Sequence, residues 1–363
     1  MIRSRSSLSP GSRLRRLGPL GLPALWGAVA VTWRLTCPAA QQPGVALRVA
    51  TGVVFLGVGT GLVLGIRHGL ARELRRMRVI AHATQQALLR PPAPRIDGLT
   101  VAAGQLSASR GAVVGGDLYE AVATPYGVRV IIGDVRGHGL AALGAVVAVL
   151  GSFREAAHDE PELGGVLRRL DRALGRHLRE AAVDECSDRP GRAAEHPAAE
   201  EFVTVLLLEI RSDDEVLALN CGHPGPYRIG RRAEAVSTGD PLPPLGPFPL
   251  PADLSPYPCA RLSPGDLLVL HTDGAQDARD GAGRFFDLEA VLAEAGRDPS
   301  PPPAALVRRV HGALLRHTKG RPADDVALLV LRNDRPRVPA QPADPGCAVP
   351  GLHPPLTCER RVS

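Results

Sequence analysis

Two aspartates at the ends of one short stretch are the first sign of chemistry. Residues 115–139 read GGDLYEAVATPYGVRVIIGDVRGHG, with Asp117 near the start and Asp134 near the end. Between them Tyr126-Gly127 supplies a turn signal. Val128 to Gly133 is a mostly apolar run rich in β-branched residues, and the whole has the pattern of a β-hairpin. Antiparallel pairing sets the two carboxylates side by side at one edge of a sheet. Like charges taken out of water repel and lose hydration unless a cation or a proton compensates. Glycines beside each Asp let backbone come close to whatever lies between them. Oxygen donors in this arrangement describe a site for a hard cation.

Two further acidic motifs abut apolar runs. Asp266 to Gly274 reads DLLVLHTDG, a strand ending in an Asp-Gly turn at Asp273, and Asp324-Asp325 immediately precedes the run VALLVL. An Asp at a strand end is more often a turn former than a ligand. Four such sites in one chain, each against an apolar strand, are harder to assign to turns alone.

These residues carry a resemblance. The chain resembles the metal-dependent serine/threonine protein phosphatases of the PPM type, in the bacterial branch typified by the stage II sporulation protein E phosphatase. The matching pieces, in family order, are GGDLYE at 115–120, GDVRGHGLAA at 133–142, FVTVLLLEI at 202–210 and NCGHPGPYRI at 220–229. They continue with PLGPFP at 244–249, LSPGDLLVLHTDGAQDA at 262–278 and ADDVALLVLR at 323–332. The resemblance implies an α-β-β-α sandwich with its site at one end. It also implies two Mg²⁺ or Mn²⁺ ions, which oxygen-only ligands favour over zinc. In that reading Asp134 bridges both ions, the Val135 carbonyl touches one, Asp117 acts on one partly through waters, and Asp273 and Asp324 complete the other side. Asp325 is less secure, being next to a ligand and readable as a cap to the turn. A water between two such ions, about 3.5–4 Å apart, is acidified enough to attack a phosphoester in line. Three positions depart from the branch: Arg136 replaces a small residue, Glu120 an Asp and Ala327 a Thr. None removes a matched ligand.

The elements that must position these groups follow from the rest of the chain. Its 363 residues are 44% hydrophobic, with 40 Gly and 35 Pro, enough for one sizeable domain plus extensions. The net charge of +6 is uneven: residues 1–95 hold 14 arginines and one acid, Glu73, while the remainder is net acidic. The arginines flank apolar stretches and aromatics are only 3%, which argues against nucleic acid as a partner. Six scattered cysteines without CxxC spacing read as free thiols in a reducing compartment. Cys186 and His196 lack the partner spacing of a zinc site.

Leu17–Trp33 and Val49–Ile66 carry no charge and are near the short end of membrane-span length. The first is also readable as a cleavable signal peptide. Either way the flanking arginines place the main domain in the cytoplasm, giving a multi-pass anchor if both stretches span. Gly57, Gly59 and Gly61 superficially resemble a dinucleotide loop but suit helix packing in a membrane-length run. Arg67 to Arg90 reads as a helix, either a plain linker or a parallel homodimer helix through 67–90. Pro91, Pro92 and Pro94 end it. The domain organisation is thus a basic membrane region at 1–66, a helical linker at 67–95, a phosphatase-like domain at 96–332 and a Pro-rich disordered tail at 333–363.

Within the domain we expect strands at Leu99–Ser109, Phe202–Ile210, Val216–Asn220 and Val326–Arg332. Helices are expected at Leu140–Ala157, Leu163–Leu178, Leu288–Ala295 and Ala304–His317, with a polar insertion at 181–200. Strands then helices, twice over, argue for an α+β fold of two antiparallel sheets covered by helices. No GxSxG and no Cys-centred phosphate loop is present, so no protein nucleophile is signposted. His138 reads as mainly structural, with proton donation the alternative, and His223 as structural or a substrate-side loop residue. With the apolar stretches, the resemblance implies a membrane-anchored phosphatase of phosphoserine or phosphothreonine, with an anti-sigma-factor antagonist or similar regulator as substrate. A catalytically silent binding module and a small-molecule phosphohydrolase are the alternatives.

Overall fold

The computed structural model describes residues 26–29, 31–32, 36, 45–88, 90–107, 115–136, 140–188, 201–298 and 301–336. A long helix, α1 (Val45–Leu88), leads in. It merges the second apolar stretch and the expected linker helix into one element, since no proline or capping residue separates them. Most of the first apolar stretch lies outside the described residues.

The domain proper builds two antiparallel sheets. One has the order β3 (Leu118–Thr124), β4 (Gly127–Val135), β5 (Val203–Ile210), β6 (Glu215–Cys221) and β9 (Tyr257–Arg261). The other runs β1 (Arg95–Ile96), β2 (Leu99–Leu106), β11 (Val326–Asn333), β10 (Leu267–His271), β7 (Tyr227–Ile229) and β8 (Ala233–Ala235). Helices α2 (Leu140–Asp159) and α3 (Leu163–Asp188) cover the first sheet. Helices α5 (Leu288–Ala295) and α6 (Pro303–His317) cover the second, and a single turn, α4 (Asp273–Gln276), follows β10.

Alternation along the strands makes the four layers. On β4, Val130 and Ile132 enter the core between the sheets while Ile131 and Val135 face the helices. On β5, Leu206 and Leu208 face inward, and Val205 and Leu207 face outward. On β11, Ala327, Leu329 and Leu331 face inward, and Val326, Leu328 and Val330 meet α5 and α6. Central strands buried on both faces are apolar at most positions, which is why these antiparallel strands read as nearly continuous apolar runs. The small face of α2 (Ala142, Ala145, Ala156) lets that helix lie close on its sheet.

Boundaries shift from expectation in four places. The hairpin turn is Pro125-Tyr126, with Thr124 paired to Gly127, whose φ of 122° suits the first residue after so tight a turn. Helix α3 runs on to Asp188, because the AAVDEC segment has good helix formers and no breaker, so part of the expected insertion is helical. Asp273 opens a helical turn rather than an Asp-Gly turn. Residues 333–336 are ordered, not tail: the Asn333 amide group donates to the Leu262 carbonyl at 2.6 Å and to Asp214 at 3.0 Å. The remainder of the expected tail, and residues 189–200, lie outside the described residues.

Candidate active site

The β3–β4 hairpin pairs Leu118 with Gly133, so Asp117 and Asp134 stand opposite each other one step further along. Both belong to the face turned toward the second sheet, in step with Tyr119 and Ile132. Gly116 closes the ladder by accepting the Val135 amide at 3.2 Å. A side chain at 116 would collide with the Val135 carbonyl and lie 2.8 Å from an Asp134 carboxylate oxygen, so glycine is required there. The second sheet delivers its carboxylates to the same end. Asp273 follows β10, and Asp324 and Asp325 precede β11, the neighbouring strand. A methyl at Gly274 would run into the Asp325 carbonyl, and one at Gly115 into the Asp325 carboxylate, so glycines let these segments meet.

The carboxylates act on one another. Burial, then Asp134 and Asp325, hold the Asp117 carboxyl well above the usual carboxylate range. Burial, then Asp273, Asp324 and Asp325, push Asp134 to about 7. Asp273, exposed on its outer side, is raised by desolvation and by Asp324 and Asp277. The leading influences on all three are burial and other carboxylates, with no cation among them.

Thr272 is the residue that sequence reasoning missed. Its hydroxyl is fully buried, donates to Asp117 at 3.3 Å and accepts the Ala327 amide at 2.9 Å, while its own amide bonds the Ala327 carbonyl at 3.1 Å. It orients Asp117 across the gap between the sheets. The signal for it was only its place beside Asp273. Within the acidic pair, Asp324 accepts the Asp325 amide at 2.8 Å and acts on Asp134 and Asp273, while Asp325 acts on Asp117 and Asp134. His223 is structural, as expected. It lies between the Thr204 hydroxyl at 3.1 Å and the His271 carbonyl at 3.2 Å, with its backbone clasped by Asn220. His138 lies outside the described residues.

Among the described residues no three His, Cys, Asp or Glu side chains form a group that could hold a metal ion by themselves. A hard cation that keeps several waters does not need one. Mg²⁺ is commonly held by one or two carboxylates and completes its octahedron with solvent. The mutually repelling, oxygen-only donors and the Val135 carbonyl fit such ions. They do not fit a zinc site, which wants Cys or His.

The fold is that of the PP2C-type protein phosphatases. The SiaA PP2C domain of Pseudomonas aeruginosa is similar at 16% identity and a TM-score of 0.52, over 74% of this chain and 98% of that one. The RsbU and RsbW domains of a Mycobacterium tuberculosis protein align at 25% identity and a TM-score of 0.48, over 68% of this chain. This chain spans 63% of that structure's length. The phosphatase domain of SpoIIE from Bacillus subtilis, with a fragment of its regulatory domain, aligns at 15% identity and a TM-score of 0.48, over 64% of this chain and 62% of that one. The chain belongs to the stage II sporulation protein E (SpoIIE) family, whose model matches residues 124–334. That match covers Asp134, Asp273 and Asp324 and begins after Asp117.

Proposed function

We propose that this chain is a metal-dependent protein phosphatase that hydrolyses phosphoserine or phosphothreonine on a regulatory protein, an anti-sigma-factor antagonist being the substrate class the family suggests. One observation carries the reading: aspartates from four separate segments raise one another's proton affinity at a single end of the sandwich. Asp134, Asp273, Asp324 and the Val135 carbonyl are the groups to hold two Mg²⁺ or Mn²⁺ ions, and Asp117, aligned by Thr272, assists. Bound there, the ions supply Lewis-acid charge and acidify coordinated water. The chain's own part is to preorganise the acceptors on two sheets, so that little rearrangement accompanies the reaction. No protein nucleophile is required.

The same proposal makes the enzyme membrane-anchored. Gly52–Arg72 within α1 is long and apolar enough to cross a bilayer, with a mean hydropathy of 1.6. The arginines after it favour a cytoplasmic phosphatase domain. A second span before it and a homodimer through 67–90 complete the proposed arrangement.

The test is the full-length protein in detergent, with a phosphothreonine peptide and Mn²⁺. Phosphate release should depend on the metal and fall by at least about 100-fold in Asp134→Asn. Turnover in chelator, or undiminished turnover in the variant, overturns the reading. A catalytically silent binding module is the second reading. Peptide binding without hydrolysis would select it.

A further inference from the structure

The proposed phosphatase reading leaves open which group receives the phosphoryl oxygens on the protein side. The ladder between β4 and β5 pairs Asp134 with Thr204 and Val135 with Val203, and it continues one residue further, where the Arg136 amide donates to the Phe202 carbonyl at 2.8 Å. Residues two apart on a strand share a face. Arg136 and Phe202 therefore lie on the face that carries Asp134 and Thr204, one rung outward, about 7 Å along the strand. The Arg136 guanidinium carbon sits 5.2 Å from the centre of the Phe202 ring. A cation–π contact of this kind biases where the guanidinium sits and still leaves its N–H donors for another partner.

Most of the domain's well-placed arginines are already committed. Arg129, Arg154, Arg169, Arg211, Arg228, Arg284, Arg332 and Arg335 each pair with a carboxylate. Arg136 is exposed, and among the described residues its side chain makes no ion pair. A planar fork of donors, set by its backbone one rung outward from Asp134, matches a phosphate dianion in both charge and geometry.

We propose that Arg136, braced on Phe202, is a catalytic residue that binds the non-bridging oxygens of the substrate's phosphoryl group. The inference rests on the phosphatase reading and adds a recognition group to it. The test compares full-length wild type, Arg136→Ala and Arg136→Lys in detergent with Mn²⁺. Substrates are p-nitrophenyl phosphate and a phosphothreonine peptide, and calorimetry measures inorganic phosphate binding. In the Ala variant KM should rise about tenfold or more for both substrates, and phosphate affinity should weaken in step. The loss in kcat should be smaller, Lys should recover part of the affinity, and the thermal midpoint should not move. Unchanged KM and phosphate affinity in an active Ala variant overturn the inference while leaving the phosphatase reading intact. A KM rise confined to the peptide also overturns it, by placing Arg136 on the polypeptide instead. An inactive wild type sinks the phosphatase reading itself.

Discussion

At the scale of single residues, buried histidine sets an acid limit on the fold. Burial, reinforced by neighbouring His271, lowers the His223 pKa to about 3. With the ring neutral, Nε2–H donates to the His271 carbonyl and Nδ1 accepts from Thr204, whose 3.1 Å contact outranks its 3.4 Å approach to the Asp134 carbonyl. A histidine whose folded pKa lies below its unfolded value contributes stability that is full above about pH 6.5 and is lost as pH falls toward the folded pKa. His311, lowered to about 4 by burial, acts in the same direction. Each such histidine costs about 1.4 kcal/mol per pH unit below 6.5. The raised carboxylates Asp117 and Asp134 act the other way, since they take up protons in the fold as pH falls, so the check is differential: between pH 7 and 5, His223→Gln should lose less urea stability than wild type by about one proton's share of that slope. An unchanged slope in the variant would show that His223 is protonated in the folded state.

At the scale of elements, a buried ion pair joins strand to helix end. Arg129 on β4 is fully buried, and its guanidinium donates to Glu209 on β5 at 2.7 and 2.9 Å. It also reaches the carbonyls of Ala157 at 2.9 Å, Pro161 at 2.8 Å and Glu160, so it gathers the C-terminal end of α2. A cation at a helix C-terminus satisfies orphan carbonyls and complements the helix dipole. Removing the arginine leaves buried Glu209 to the half-exposed Arg211 at 3.1 Å, so Arg129→Met should cost about 3 kcal/mol by urea unfolding. Replacing both, with Glu209→Leu added, should cost less than that single change. A double variant no better than the single one would mean that the carbonyl contacts, rather than the stranded carboxylate, dominate. The pair was not legible in sequence, because an arginine inside the run VRVII reads as a solvent-facing position of a half-buried strand. Only the depth of β4 between two layers makes it a core residue.

At the scale of the whole molecule, the carboxylates tie the two sheets together through whatever neutralises them. Their mutual repulsion is a cost of the metal-free fold, and ions that bind only the folded state repay it by mass action. Saturation at 100 times Kd is worth about 2.7 kcal/mol, which in a domain of this size raises Tm by roughly 5–10 °C. Mg²⁺ or Mn²⁺ should therefore raise the thermal midpoint of the full-length protein, and Asp134→Asn should abolish most of the increment. A midpoint indifferent to either metal would contradict the assigned site.

Much of this was determined by the chain itself. Apolar runs of strand length, one strong hairpin and the helix periodicities define two antiparallel sheets between helices, because strand and helix patterns are local properties. Each of Asp117, Asp134, Asp273 and Asp324 was likewise recognisable from its position at a strand end. Their convergence and the alignment of Asp117 by Thr272 were decided only in three dimensions. Those facts depend on which strands become neighbours and which face each side chain takes, and that follows from packing two sheets across one core rather than from any stretch of sequence alone.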